Sequence, residues 1–189
     1  MVQSAHPIRV PRHILLVLAL ATLTVNLTAQ VRTINLHEMV ESSGLVFVGS
    51  VAETRTGLDE HGELATWTTF RVEMPIGIMP LSMVTVKQLG GTADGRSHYL
   101  THMRYFQRSE RVLVMFYPTS SLGFTSPIGL DQAVWPVSND GRVLGVRGTT
   151  LSGLGDLGRH GIAQHELQDI ELSRFSSLLS DLLHGRKTR

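Results

Sequence analysis

The glycines of the stretch VTVKQLGGTADG are spaced as in a phosphate-binding loop. Gly90 and Gly95 match the glycines of G-x-x-x-x-G-K-[ST], a motif that holds phosphates with backbone N–H groups and a helix N-terminus. Arg96 stands where the motif requires lysine, and no helical apolar pattern follows. We therefore interpret Gly90-Gly91 as the point where a strand leaves its sheet, and we predict no cofactor. Substituting Gly91 with alanine should cost ~1 kcal/mol or more if its φ is positive.

Four histidines have spacings that a metal site could use. His98 and His102 are four residues apart, and His160 and His165 are five apart with Glu166 adjacent. A catalytic zinc site usually needs three converging protein ligands. A pair four residues apart converges on a helix but is spread by ~13 Å on a strand. The favoured interpretation is histidines in loops or on the surface; the alternative is a metal-dependent hydrolase that uses these side chains.

The other patterns typical of catalysis are absent or have a structural explanation. The chain has no cysteine, which excludes thiol nucleophiles, zinc–thiolate sites and disulfides. It has no G-x-S-x-G elbow. Ser109 lies beside Glu110 and Arg111, as expected for a polar turn before a buried strand, and the carboxylates form no glycosidase-like pair. We therefore assign no catalytic, cofactor-binding or metal-ligating residue.

Composition limits the class of partner. The 189 residues are enough for one domain with a substantial core, and the formal net charge is +1. A balance this close to neutral gives no electrostatic reason to expect nucleic acid as a partner.

Residues 1–29 have the pattern of a secretory signal peptide. Arg9 and Arg12 precede an apolar run of about twelve residues, which is shorter than the ~20 needed to span a bilayer. Ala29 stands at a plausible cleavage point. We expect a periplasmic or secreted protein with no stable membrane span after cleavage; the alternative is an uncleaved signal anchor.

The rest of the chain predicts a mainly β fold with a helix at each end. Asn35 followed by Glu38 is typical of a helix N-cap. Five or six apolar stretches with turn residues between them then predict a small closed or partly closed β-barrel over residues 30–150. Residues 151–189 are predicted to be a glycine-rich connector and an amphipathic C-terminal helix, which covers the barrel or binds a partner. Its apolar face consists of Leu172, Phe175, Leu178, Leu179, Leu182 and Leu183.

Aromatic residues are concentrated in the second half of the chain. We expect most of them to be in the core, although exposed aromatics on a barrel face can stack on bases or sugars. The near-neutral charge favours sugar or peptide over nucleic acid in that case. The residues are Tyr99, Tyr105, Phe106, Phe116, Tyr117, Phe124 and Trp135.

The order of motifs over residues 34–147 resembles a group of exported bacterial proteins of unknown function. The resemblance is carried by LVFVGSV, FRV, VTVKQLGG and FQRSERVLVMF. It departs from the group at Gly44, where an acidic residue is usual, and at Ser109, where glycine is usual. The resemblance implies an OB-like barrel, and more distantly one similar to the netrin-like domain of tissue inhibitors of metalloproteinases. The N-terminal cysteine through which those inhibitors chelate zinc has no counterpart here.

Taken together, the sequence predicts an exported, non-enzymatic binding or interaction module. Its partner would be an envelope or extracellular protein, a peptide or a glycan. The alternatives are the metal-dependent hydrolase that uses histidines and, by analogy of fold, a protease inhibitor.

Overall fold

The computed structural model describes residues 32–77, 82–154, 157–162 and 168–187. The predicted signal peptide and His165 lie outside these residues. The fold is mainly β with two α-helices, as the sequence predicts. No helix within the described ranges is long and apolar enough to cross a membrane. The elements are α1 (Leu36–Ser42), β1 (Leu45–Leu58), β2 (Leu64–Pro75), β3 (Met83–Leu89), β4 (Gly91–Ala93), β5 (Arg96–His98), β6 (Arg111–Phe116), β7 (Val134–Pro136), β8 (Arg142–Leu144), a 3₁₀ turn (Leu157–His160), β9 (Asp169–Glu171) and α2 (Leu172–Lys187).

The main structure is a five-stranded antiparallel sheet in the order β3-β2-β1-β6-β7. A short hairpin, β4-β5, and a two-stranded antiparallel pair of distant strands, β8-β9, accompany it. The long strands β1 and β2 lie next to each other within the sheet. Their register shifts at Gly49, where β2 has the extra residue Glu73, and again after Val51, where β1 has the extra residue Ala52. Beyond β6, Pro127 pairs with Phe116 and the preceding Phe124 pairs with Lys87 of β3. This segment therefore contacts both β6 and β3 through isolated bridges.

One face of the sheet is built around phenylalanine rings. The ring of Phe70 lies 5.2 Å from that of Phe47 and 5.0 Å from that of Phe106, and both pairs meet edge to face. Phe116 stacks on Phe47 at 6.2 Å. Valines of β1, β3 and β6 complete this cluster. Period-two alternation brings the strand residues of this cluster to one face, and Phe106 joins them from the loop before β6.

The opposite face of the sheet packs against the two helices. Val48 of β1 and Leu113 of β6 join α1 and α2 in a second core, and Trp135 meets Phe175 edge to face at 5.3 Å. The helices were expected to cover an open barrel end or a sheet edge; they instead cover a face, because β1 and β6 are apolar on both sides. Leu151 is buried in the same core, so the first part of the glycine-rich connector is packed against the helices.

Local signals at both helices are confirmed. Asn35 Oδ1 accepts a hydrogen bond from the Glu38 backbone N–H at 3.0 Å, which is the predicted N-cap. On α2, Phe175 and Leu179 are fully buried, as the apolar face predicts. The Arg186 guanidinium donates to the carbonyl oxygens of Val40 (3.0 Å) and Ser43 (2.8 Å), and so joins the last turn of α2 to the end of α1.

The glycine segment ends one strand and begins a hairpin, as predicted, but the positive φ lies elsewhere. Gly90 has φ +101°, whereas Gly91 has no positive φ and starts β4. Gly91 is nevertheless constrained, because a Cβ there would come within 2.7 Å of the Ala65 carbonyl oxygen. Asp94 and Gly95, with φ of 51° and 70°, form the two-residue turn between β4 and β5.

The two departures from the resembling group occupy constrained positions. Ser109 has φ +69°, a left-handed conformation that favours glycine. At Gly44 a Cβ would come within 2.6 Å of the Pro118 Cα, so this backbone approach leaves no room for an acidic side chain.

Candidate functional site

A groove of about 540 Å³ lies between β3 and the turn that follows β6. We call it the β3 groove. One wall is formed by Val84–Lys87 and the other by Tyr117–Thr119, and Leu45 at the start of β1 lines it as well. The turn diverges from β3 because residues 120–124 fold back, with the Ser120 N–H donating to the Phe124 carbonyl at 2.8 Å. The groove is thus a gap beside a strand.

The wall formed by β3 is a free strand edge. Hydrogen bonds from Val72 N–H to the Ser82 carbonyl and from Gly90 N–H to the Leu64 carbonyl fix which residues of β3 pair with β2. In an antiparallel ladder, successive residues point their N–H and C=O groups alternately toward and away from the neighbouring strand. Those of Ser82 and Gly90 point toward β2, so those of Met83 and Thr85 point away from it. Within the part of the chain that the structure describes, those groups have no hydrogen-bond partner.

The groove closes at Lys87. The Thr125 N–H donates to the Lys87 carbonyl at 2.8 Å, and the Thr125 hydroxyl donates to the Tyr117 carbonyl at 2.7 Å. Thr125 therefore links β3 to the chain after β6. The Lys87 ammonium lies 4.3 Å from the centre of the Phe124 ring, within cation–π distance.

The side chain of Lys87 is held by two carboxylates from the β1–β2 turn. Its Nζ lies 3.0 Å from Asp59 Oδ2 and 3.1 Å from Glu60 Oε1. The side chains of Lys87 and Asp59 are 9% and 0% exposed, whereas that of Glu60 is 65% exposed. Asp59 also accepts backbone N–H bonds from His61 and Glu63, both at 2.9 Å. We call these three side chains the Lys87 cluster.

Every member of the Lys87 cluster is charged near neutral pH. Burial raises the pKa of Asp59, but hydrogen bonds from the Glu63 backbone and from Lys87 outweigh it, so the pKa falls below its ordinary value. A hydrogen bond from its own backbone and one from Lys87 lower the pKa of Glu60. Burial lowers the pKa of Lys87, yet the bonds to Asp59 and Glu60 raise it overall. Near neutral pH the cluster thus presents a protonated lysine, which is no nucleophile, and ionised carboxylates, which accept hydrogen bonds, and this suits it to binding and positioning.

The cluster should make stability depend on pH in a defined window. Because the folded-state pKa values of Asp59 and Glu60 are lowered, their contribution is present above about pH 4 and disappears as pH falls further. Because the pKa of Lys87 is raised, its contribution to stability is lost only above about pH 10. We expect Lys87→Met to lower Tm by several degrees at pH 7 and by much less at pH 3. Thermal unfolding of both proteins across this range measures the difference, and a Tm gap of equal size at pH 3 and pH 7 would contradict it.

The histidines are not brought together. His98 lies exposed on β5, and His102 lies in an exposed turn with φ +63°. The His160 Nδ1 is 3.9 Å from Asp181 Oδ2. Among the described residues no three side chains of histidine, cysteine, aspartate or glutamate could hold one metal ion. The described residues therefore give the hydrolase alternative no support.

Most of the predicted aromatic residues are structural. Phe106 and Phe116 belong to the phenylalanine cluster, and Trp135 packs on α2. Tyr105 donates its hydroxyl to the Leu89 carbonyl at 2.6 Å, and its ring meets that of the partly exposed Tyr99. Of the seven, Tyr117 lines the groove and Phe124 supports Lys87 beside it.

Sequence reasoning missed the groove and the role of Lys87. One signal was present, because Lys87 is one of only two lysines in the chain and stands in an otherwise apolar strand. Trp67 also lines the groove and lies directly across the β2–β3 pair from Lys87. Arg55 covers the Trp67 ring at 3.8 Å, which leaves that face unavailable for stacking on a sugar.

No protein-family model, curated protein or solved structure matches this chain. The resemblance to exported bacterial proteins stays a prediction.

Proposed function

We propose that this chain is an exported, non-enzymatic binding module that captures an extended peptide segment as an additional strand on β3. The observation that carries this proposal is the free edge at Met83 and Thr85 beside the β3 groove. Outward N–H and C=O groups at strand spacing are complementary to the backbone of another extended chain. The partner is then an envelope or extracellular protein that presents such a segment, or a free peptide.

The geometry favours a peptide over the other ligands considered. A sugar would stack on an exposed aromatic ring; Arg55 covers one face of Trp67, which leaves Tyr117 as the exposed ring among the groove-lining residues. The outward N–H and C=O groups of Met83 and Thr85 instead match a peptide backbone. Nucleic acid would need excess positive charge, which the near-neutral chain does not have. No observation on the described residues favours a protease inhibitor.

We also propose that the sheet is an incomplete barrel of the OB-like type. The isolated bridges Lys87–Phe124 and Phe116–Pro127 support this interpretation, because they connect the first and fourth strands of the sheet order through one short segment. The β3 groove is then the unfilled part of the seam. Export rests on the signal-peptide pattern of residues 1–29 and its expected cleavage after Ala29.

Removing the N–H of Thr85 should weaken binding strongly and leave the fold intact. Proline lacks this donor and is tolerated on an edge strand whose N–H faces outward. The probe is a fluorescently labelled Thr-Val-Ser-Val-Thr peptide with blocked termini, titrated by anisotropy. We expect Thr85→Pro to weaken its binding roughly tenfold or more, since it loses a hydrogen bond and the pyrrolidine ring blocks the edge.

Thr85→Val is the matched control for this experiment. Both substitutions remove the hydroxyl that bonds Thr69 Oγ1 at 2.9 Å, but valine keeps the backbone N–H. Thr85→Val should therefore bind the probe as the natural protein does. Equal binding by the proline and valine variants, or no binding by the natural protein, would refute strand addition.

A further inference from the structure

The two ends of the β3 groove differ in charge. At the Lys87 end, two ionised carboxylates face one ammonium, which leaves a formal charge of −1. Asp59 is fully buried and uses both oxygens, Oδ2 for Lys87 and Oδ1 for backbone N–H groups. Glu60 is mostly exposed and gives only Oε1 to Lys87. Because the Glu60 side chain is 65% exposed, its carboxylate can accept a further hydrogen bond from a ligand.

The centre of the groove is lined by aliphatic side chains of β3 and β1. Val84 and Leu45 are partly buried there, and Val86 is buried beneath them. The close contact between Gly44 and Pro118 narrows the space at one side. Since every second side chain of an added strand faces inward, alternate positions of the ligand must be small and apolar.

The distance along β3 determines which residue of a bound strand reaches the charged Lys87 end of the groove. Met83 to Lys87 is five residues, or four steps of extended chain that measure ~13 Å, which a pentapeptide covers. A strand added at Met83 and Thr85 therefore reaches the Lys87 end with its terminal residue. That residue meets the exposed Glu60 carboxylate.

We propose that the β3 groove selects extended segments that place a lysine or arginine against Glu60 and small apolar side chains against Val84 and Leu45. This inference rests on the proposed strand addition and names its ligand class: a neutral-to-basic segment of alternating small apolar residues. Charge complementarity at Glu60 provides the selection, because the positive charge of Lys87 is already shared by two carboxylates.

The experiment compares labelled peptides of matched shape. The groove does not fix the direction of the added strand, so the basic residue is placed at either end, in Thr-Val-Ser-Val-Lys and in Lys-Val-Ser-Val-Thr. The controls carry glutamate in place of lysine. We expect one lysine peptide to bind roughly fivefold or more tightly than its glutamate counterpart at low salt, as for an exposed charge pair. In Glu60→Gln the preference should disappear, and in Glu60→Lys it should reverse.

The outcomes separate this inference from the proposed function. If lysine and glutamate peptides bind equally, and backbone N-methylation of either abolishes binding, strand addition stands and the charge selection is wrong. A lysine preference that survives in Glu60→Gln refutes the role of Glu60. If N-methylated peptides bind as well as unmodified ones, both proposals are wrong.

Discussion

Phe70→Ala should lower the free energy of unfolding by about 4 kcal/mol, the range found when a fully buried phenylalanine is truncated. Phe70 is fully buried, and its ring contacts those of Phe47, Phe106 and Phe116 at centroid distances of 5.0 to 6.1 Å. The substitution removes three aromatic contacts and leaves a cavity that the surrounding strands cannot fill. Urea denaturation followed by circular dichroism measures the loss.

Two comparisons make this result specific. Phe70→Leu keeps most of the volume and should cost less than half as much. Tyr99→Ala removes an aromatic side chain that is 45% exposed and should cost about 1 kcal/mol or less. A loss below about 2 kcal/mol for Phe70→Ala would mean that the phenylalanine cluster is not the centre of this face of the sheet.

Gly90→Ala should destabilise the protein by about 3 kcal/mol, for two separable reasons. At φ +101° a residue with a Cβ is strained, which costs on the order of 1 kcal/mol or more. The new Cβ would also lie 2.5 Å from the Tyr105 hydroxyl oxygen and 2.9 Å from the His98 carbonyl oxygen, so the neighbouring chain must move. The same denaturation experiment detects the change.

Gly95→Ala is the control that has the backbone strain of a positive φ without the steric overlap of the new Cβ. Gly95 also has a positive φ, +70°, but a Cβ there meets nothing within 4 Å. It should therefore cost only about 1 kcal/mol. If Gly90→Ala costs no more unfolding free energy than Gly95→Ala, then Tyr105 moves aside and the expected steric overlap is wrong.

The features that the sequence predicted correctly are those encoded by residues close together in the chain. The Asn35 N-cap involves residues three apart, and the Asp94-Gly95 turn involves two neighbours. Strand β6 is buried on both faces because its apolar residues are consecutive, and α2 shows its buried face through helical spacing. Such signals depend on periodicity and side-chain chemistry within one element.

The candidate site could not be predicted in this way, because its parts come from distant points of the chain. Lys87 meets Asp59 and Glu60 across 28 and 27 residues, and it meets them only when β2 and β3 pair in one register. The groove also needs the turn after β6 to diverge from β3. The positive φ was expected at Gly91 and lies at Gly90 for a similar reason. Adjacent glycines are equivalent until the pairing of β3 with β2 and of β4 with β5 fixes which one must turn.

The bond from Arg186 to the end of α1 has a consequence for how the chain folds. Arg186 lies 143 and 146 residues from the two carbonyl groups that it binds. The end of α1 is therefore completed by a side chain more than 140 residues further along the chain. Because such distant contacts require closure of a long loop, they form late and slow folding. A chain made from its N-terminus keeps α1 without this contact until Arg186 has been synthesised.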